Sequence, residues 1–286
     1  MILVANTKGG CGKSTTSMQL LAPWILSRIG QAKVVEIDDE NHDSASYTKS
    51  RIQSEQVTIG QEGHVNFAVN RLIDKTDDHY IVGDIGGNRT CSMILKALGE
   101  SSYDTFVDLI AIPITSTGQD VVNARKTLKM IKESMPGFSG KIVLVITRAD
   151  TTDVAMLEEI MPDAFVMLEK HSLEGPVILP SDQCYPQSRF LERTVYELSE
   201  VADTLKAEIE QTMTKVRRNR EERRHYSQLS GAITRAAQAR PHLEKQFKAL
   251  DAIMDLKTAA ADFVADKKPK EQPAKNAKAE KASASA

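Results

Sequence analysis

The octapeptide Lys8-Gly9-Gly10-Cys11-Gly12-Lys13-Ser14-Thr15 constrains this chain more than any other stretch. It follows a short apolar run at 2–5 and precedes an amphipathic segment at roughly 14–29. A strand, a glycine-rich loop and a helix in that order make a cradle for phosphates. The glycines let the backbone wrap closely with its N–H groups inward, and the helix adds the positive end of its dipole. Lys13 supplies a point charge for β- and γ-phosphates, and the Ser14 hydroxyl is placed to ligate Mg²⁺. The usual spacing G-x-x-x-x-G-K-[ST] needs glycine at position 7, where Thr7 stands; a second lysine, Lys8, opens the loop instead.

Further Val/Ile-rich runs of four to eight residues recur at 33–37, 80–85, 107–114 and 141–146, with a weaker one at 176–179. Amphipathic stretches near 64–75, 91–99, 118–134 and 153–161 separate them. Continuous apolar strands alternating with helices predict a doubly wound α/β domain with a mostly parallel sheet over 1–190. At 286 residues, 41% hydrophobic and 27% charged, the chain has the composition of a soluble globular protein with ample core. No apolar run approaches 18 residues, so no membrane span is expected. Met1–Lys8 carries no charged leader with an apolar core and cleavage site, which points to the cytoplasm. Three scattered cysteines, Cys11, Cys91 and Cys184, argue against a disulfide framework.

The pattern changes near residue 188. Leu198, Val201, Leu205, Ile209, Met213 and Val216 recur at three and four, and no proline interrupts 187–240. A helix is therefore expected to run past residue 220, with about 60 Å of reach for forty residues. Leu243, Phe247, Leu250 and Met254, with the weaker Ala261 and Val264, form a second stripe. It is either a coiled-coil or partner helix or, the preferred reading, one that packs back on the body. The expected division is a P-loop domain at 1–190, a helical basic extension at 191–265 and a disordered Lys/Ala/Pro-rich tail at 266–286.

K-G-G-x-G-K-[ST] is the deviant Walker A motif, and through it the chain resembles the ParA/MinD family of P-loop ATPases. The resemblance covers about residues 1–190. It implies ATP and Mg²⁺ as cofactors, slow hydrolysis, and a homodimer that sandwiches nucleotide, with Lys8 of one subunit reaching the phosphates held by the other. Val34–His42 is similar to the family's strand ending D-x-D-P-Q. Asp38 matches the first Asp, expected to orient the attacking water, while Glu40, Asn41 and His42 depart from the pattern. Tyr80–Asn88 looks like the Walker B strand, with Asp84 expected at Mg²⁺ and Gly86-Gly87 as a movable switch. Ile112–Asp120 resembles the family's next strand exit and helix start, whose polar residues sense the dimer interface or, on the simpler reading, where Thr117 caps the helix.

For the base, Thr147-Arg148-Ala149-Asp150 stands where the family has Asn at its first position. It resembles instead the T-K-x-D motif of signal-recognition GTPases, in which the Asp reads guanine. ATP is still the expected nucleotide because Lys8 ties the chain to the ATP-using branch, and Pro180 lies where the family packs a loop on the base. Cys91 matches a cluster-ligating cysteine of the nitrogenase iron protein, but residues 12–90 hold no second cysteine, so no iron–sulfur cluster is expected.

Charge is unevenly spread. Residues 1–214 hold 20 Lys+Arg and 30 Asp+Glu, whereas 215–286 hold 17 and 9. Lys215–Arg224 concentrates the excess, and on a helix Arg217, Arg220 and Arg224 share a face with Arg218 beside them; Arg223 completes the cluster. Such a stripe suits nonspecific double-stranded DNA, with salt-dependent binding. The plainer alternative is a solvated helix laced by Glu221 and Glu222.

The expected function is a ParA-like ATPase that dimerises on ATP, binds nonspecific DNA and partitions a plasmid or chromosome or positions another cargo. A ParB-like or other adaptor protein would stimulate hydrolysis and release it, and the protein would associate with the nucleoid. Two alternatives stand beside it: a nucleotide-switched adaptor in plasmid stability or conjugative DNA transfer, and a MinD-like membrane-cycling ATPase. The second needs a basic amphipathic terminus, whereas 243–264 is acidic.

Overall fold

The computed structural model describes residues 1–38, 44–60, 64–76, 80–215 and 219–256. Seven strands, β1 (Ile2–Val4), β2 (Lys33–Ile37), β3 (Gln53–Val57), β4 (Ile81–Ile85), β5 (Leu109–Ile114), β6 (Lys141–Ala149) and β7 (Glu174–Pro180), form one sheet. Its order is β3-β2-β4-β1-β5-β6-β7. Every neighbouring pair is parallel. All residues of β1, β2, β4 and β5 are buried, as strands covered on both faces must be.

Side chains alternate strictly between two cores. Leu3, Val35, Ile37, Ile81, Ile85, Ile110 and Ile112 face one way. There they meet helices α3 (Val65–Thr76), α4 (Asn88–Glu100), α5 (Gly118–Ser134), α6 (Val154–Ile160) and α7 (Pro162–His171). Ile2, Val4, Val34, Val82, Leu109 and Ala111 face the other way. The period of two in the pleat thus supplies both faces from single apolar runs. The second core takes up a π-helical turn at Ser17–Leu21 between α1 (Lys13–Thr16) and α2 (Ala22–Ile29). It also receives α8 (Cys184–Phe190) and α9 (Val195–Glu200).

The chain places β2, β3 and β4 on one side of β1, and β5, β6 and β7 on the other. The carboxyl ends of β1 and β4 therefore open onto a topological switch point, where open α/β sheets bind ligands.

Three expectations are corrected here. The strand β3 was not anticipated, because Gln-Ser-Glu-Gln-Val has one apolar residue and lies at the sheet edge, where only Val57 is buried. The segment expected to end near 161 continues after Met161 as α7, with Pro162 at its first turn, a position where a missing N–H costs nothing. The helix expected to run unbroken past 220 is instead a series: α8, α9, α10 (Ala202–Lys215) and α11 (Arg220–Ile253). Thr194 opens α9 with a reciprocal capping box to Glu197, and Asn219 opens α11 by accepting from the N–H groups of Glu221 and Glu222. These caps mark helix starts inside a stretch that periodicity alone reads as one helix. Conversely, α11 runs through Pro241.

The α11 helix has 34 residues, about 50 Å. Its first half pairs with α10 through Ala202, Ile209 and Ile233. Its second half packs back on the body, burying Leu243, Phe247 and Leu250 with Trp24 in the second core. The Trp24 indole donates to Asp251 at 2.8 Å. Both oxygens of Asp251 also receive Arg28. Gln246, 4% exposed, accepts from the N–H of Ile178 in β7 at 2.9 Å.

Candidate nucleotide site

The loop after β1 is shaped by two glycines in the left-handed region, Gly10 at φ +75° and Gly12 at φ +91°. Gly12 is further dictated by packing, since a Cβ there would sit 2.6 Å from Thr147 Oγ1. Asn6, fully buried, donates to Pro113 O at 2.7 Å and accepts from the Lys8 N–H at 3.0 Å, fixing the loop's first bend. Lys13 is buried, and its ammonium donates to the Lys8 carbonyl at 3.0 Å, so it lies across the mouth of its own loop. Cys11 is buried beneath, its thiol on the Lys8 carbonyl, and burial pushes its pKa up to about 11. The segment after β4 closes the other wall: Asn88 N–H donates to Thr7 O at 2.6 Å, and a Cβ on Gly87 would come within 3.4 Å of Lys13 Nζ.

These walls enclose a cavity of about 420 Å³ lined by Gly9, Gly10, Gly12, Lys13, Ser14 and Thr15 of the loop. Glu36, Asp38 and Asp84 line it too, as do Arg89, Arg148 and Arg189. Asp84 is 4% exposed at the carboxyl end of β4. Burial pushes its pKa up to about 7, and the charge of Glu36 adds to that; Lys13 and the hydroxyls of Ser14 and Ser17 pull the other way. Asp38 follows β2 on the same wall, close enough that a Cβ on Gly86 would lie 3.1 Å from its Cγ.

The donor set suits a hard cation. Ser14 and Asp84 offer oxygen ligands side by side. Among the described residues no three His, Cys, Asp or Glu gather around a metal position. Two protein ligands completed by water and phosphate oxygens is the arrangement Mg²⁺ prefers.

Lys8, the lysine that opens the loop, is not among the residues that line the cavity. It pairs with Asp120 of α5, whose side chain is 1% exposed. Burial alone would raise the Asp120 pKa; hydrogen bonds from Lys8 and Thr115 outweigh it and hold the carboxyl below its ordinary range. Thr117 occupies the N-cap of α5 without a side-chain capping bond, so the turn is tied instead through Asp120, which accepts from Thr115 N–H at 3.0 Å.

A second cavity of about 370 Å³ adjoins the first, sharing Thr15, Arg148 and Arg189, and is lined further by Tyr47, Pro180, Asp182 and Tyr185. Of the residues expected at the base, Pro180 lies here. Thr147 lies under the loop instead, 1% exposed, its hydroxyl within 2.9 Å of Cys11 O and 3.1 Å of Ile114 O. Asp150 is exposed and lines neither cavity. Arg148 has φ +53°, which turns its side chain to the cavities rather than along the strand. Cys91, fully buried in α4, has its thiol pushed up to about 12 by burial.

Sequence reasoning missed Glu36, Arg89, Arg148 and Arg189. Glu36 alone left a signal, a charge in the middle of the apolar run Val-Val-Glu-Ile. Arg220, Arg223 and Arg224 are exposed on the first turns of α11. Arg217 and Arg218 lie outside the described residues, as do Glu40, Asn41 and His42, Ala261, Val264 and the tail at 266–286. None of the described helices is long and apolar enough to cross a membrane.

No family model and no curated protein matches the chain. Similarity is found among solved structures. A variant of McdA from Cyanothece in complex with ATP is 14% identical over 69% of this chain and 89% of that one, with a TM-score of 0.44. Apo McdA from the same source is 15% identical over 69% and 92%, at 0.43. A plasmid partition protein of Borrelia burgdorferi B31 bound to AMPPNP is 13% identical over 64% and 86%, at 0.42.

Proposed function

We propose that the chain is an ATPase of the ParA/MinD kind, a nucleotide-driven switch that partitions DNA or positions another cargo. One observation carries this: a loop with two lysines, Lys8 and Lys13, opens on a cavity that Asp38 and Asp84 also line. Lys13 and the loop N–H groups bind the β- and γ-phosphates, and Ser14 and Asp84 hold Mg²⁺, which neutralises phosphate charge when bound. Asp38 accepts a hydrogen bond from the water that attacks the γ-phosphorus in line, and Gly86 beside it allows the wall to move when the phosphate leaves.

Lys8 is held by Asp120 within one chain. Hydrolysis in a nucleotide-sandwich dimer requires it to exchange that carboxylate for a phosphate oxygen on the facing subunit. This exchange ties turnover to dimerisation and makes the enzyme slow. The base is read from the second cavity, beside Pro180. Adenine is favoured over guanine, since Asp150 stands outside both cavity linings. Arg220, Arg223 and Arg224, with Arg217 and Arg218, bind the phosphates of nonspecific duplex DNA, which places the protein on the nucleoid in the cytoplasm. A ParB-like or other adaptor protein stimulates hydrolysis and releases the DNA.

The test is duplex DNA binding with ATP, ADP or no nucleotide across a salt series, beside Lys13→Ala. ATP-specific binding that weakens steeply with salt and disappears in the variant is expected. Binding indifferent to nucleotide overturns the switch. A lack of DNA binding in every state removes the DNA assignment.

A further inference from the structure

We propose that Glu36 is a second carboxylate of the cation site, holding a water of a divalent cation bound beside Ser14 and Asp84. The inference rests on the nucleotide-site reading above. In β2, Glu36 is flanked by the buried Val34, Val35 and Ile37, yet is itself only 2% exposed. It stands in register with Asp84 on the adjacent parallel strand, so the two side chains share one face of the sheet, and both line the cavity with Ser14.

Two buried carboxylates side by side repel each other and lose hydration, a cost that positive charge must offset. Lys13, Arg89, Arg148 and Arg189 bring positive charge to the same cavity, and the phosphates of a nucleotide bring negative charge against it. A hard, doubly charged cation between the phosphates and the two carboxylates offsets the charge of both, and oxygen donors of this kind commonly hold it through water. Ser44 fixes the orientation of Glu36. Its N–H and its hydroxyl both donate to Glu36 Oε2, at 3.1 and 2.6 Å. This is the support that outer ligands of a metal receive. A glutamine in that position can accept the same two bonds but brings no charge.

The experiment titrates the full chain with Mn²⁺ in the presence of AMPPNP, read by electron paramagnetic resonance, for wild type, Glu36→Gln and Ser44→Ala. Glu36→Gln is expected to weaken Mn²⁺ binding by about tenfold or more, and Ser44→Ala by less. In EDTA, Glu36→Gln should bind AMPPNP at least as well as wild type. Its melting temperature without nucleotide, at pH 8, should rise, because one of two buried like charges is gone; a residue that merely anchors Ser44 would not raise it.

Unchanged Mn²⁺ affinity in folded Glu36→Gln overturns the inference while leaving the nucleotide reading intact. Wild type that binds no AMPPNP, with or without Mn²⁺, brings down both. Should Glu36→Gln fail to fold, Ser44→Ala decides: unaltered Mn²⁺ affinity there overturns the assignment, and a loss supports it.

Discussion

The phosphate loop and the C-terminal half of α11 pack against the same sheet on opposite terms. The loop is written in eight consecutive residues, and its strained positions, Gly10 and Gly12, are glycine for local reasons. The helix is held by contacts far apart in the chain: Trp24 with Asp251, Ile178 with Gln246, Phe247 within the second core. Chemistry is concentrated in a short segment because phosphate must be met by adjacent backbone N–H groups. Support is spread because burial is indifferent to which part of the chain supplies the apolar surface.

The helix gives the largest expected effect. Phe247 is fully buried, tilted against the Tyr196 ring at 5.6 Å between centroids. Phe247→Ala should lower stability by about 3–5 kcal/mol, measured by urea unfolding. The nucleotide affinity of the fraction that stays folded should be unchanged, because no α11 residue lines either nucleotide cavity. A loss below about 1 kcal/mol would mean that α11 does not dock on the body in solution.

The same contrast governs what could be read beforehand. Six of the seven strands are legible because they are continuous apolar runs, and the loop because its residue types are its function. The edge strand β3 is illegible, since Glu55 and its neighbours are polar and the strand is defined by its pairing with β2. The breaks at Thr194 and Asn219 are capping signals hidden within a convincing apolar periodicity. In the site, Lys13, Ser14, Asp38 and Asp84 line one cavity. Thr147 does not line it, because a threonine hydroxyl one layer down satisfies the Cys11 carbonyl and abuts Gly12. Depth of that kind has no signature along the chain.

That buried contact offers a way to sharpen the comparison from the loop side. Gly12→Ala faces both a left-handed backbone at φ +91° and a Thr147 side chain 2.6 Å from the new Cβ. The backbone alone costs about 1–2 kcal/mol, and the clash adds a similar amount. Calorimetric titration should show ATP affinity falling by more than the stability loss explains, the reverse of Phe247→Ala. In the double variant with Thr147→Ala the Oγ1 and Cγ2 contacts go while the Cβ of residue 147 stays 2.9 Å away, so the clash term should be recovered in part and the backbone term should remain. Full recovery would assign the whole defect to packing.

The smallest effect belongs to β3, whose outer edge depends on charge where the loop and α11 depend on glycine and burial. Glu55 receives Lys33 at 2.8 Å, Arg71 at 2.7 Å and Lys75 at 3.4 Å. Burial opposes its ionisation, but these three cations outweigh burial and hold its pKa at about 2. The folded value lies below the unfolded one. The contribution to stability is therefore complete above about pH 4.5 and is lost as the pH falls toward 2. Because Arg71 and Glu55 are partly exposed, the loss in Glu55→Gln at pH 7 should be about 1–2 kcal/mol, well short of what the shift alone implies. Urea unfolding of wild type and variant should diverge at pH 7 and converge near pH 2. A difference that persists undiminished at pH 2 would show that Glu55 supports β3 by packing, and the edge of the sheet would then resemble the docked helix more than a charged seam.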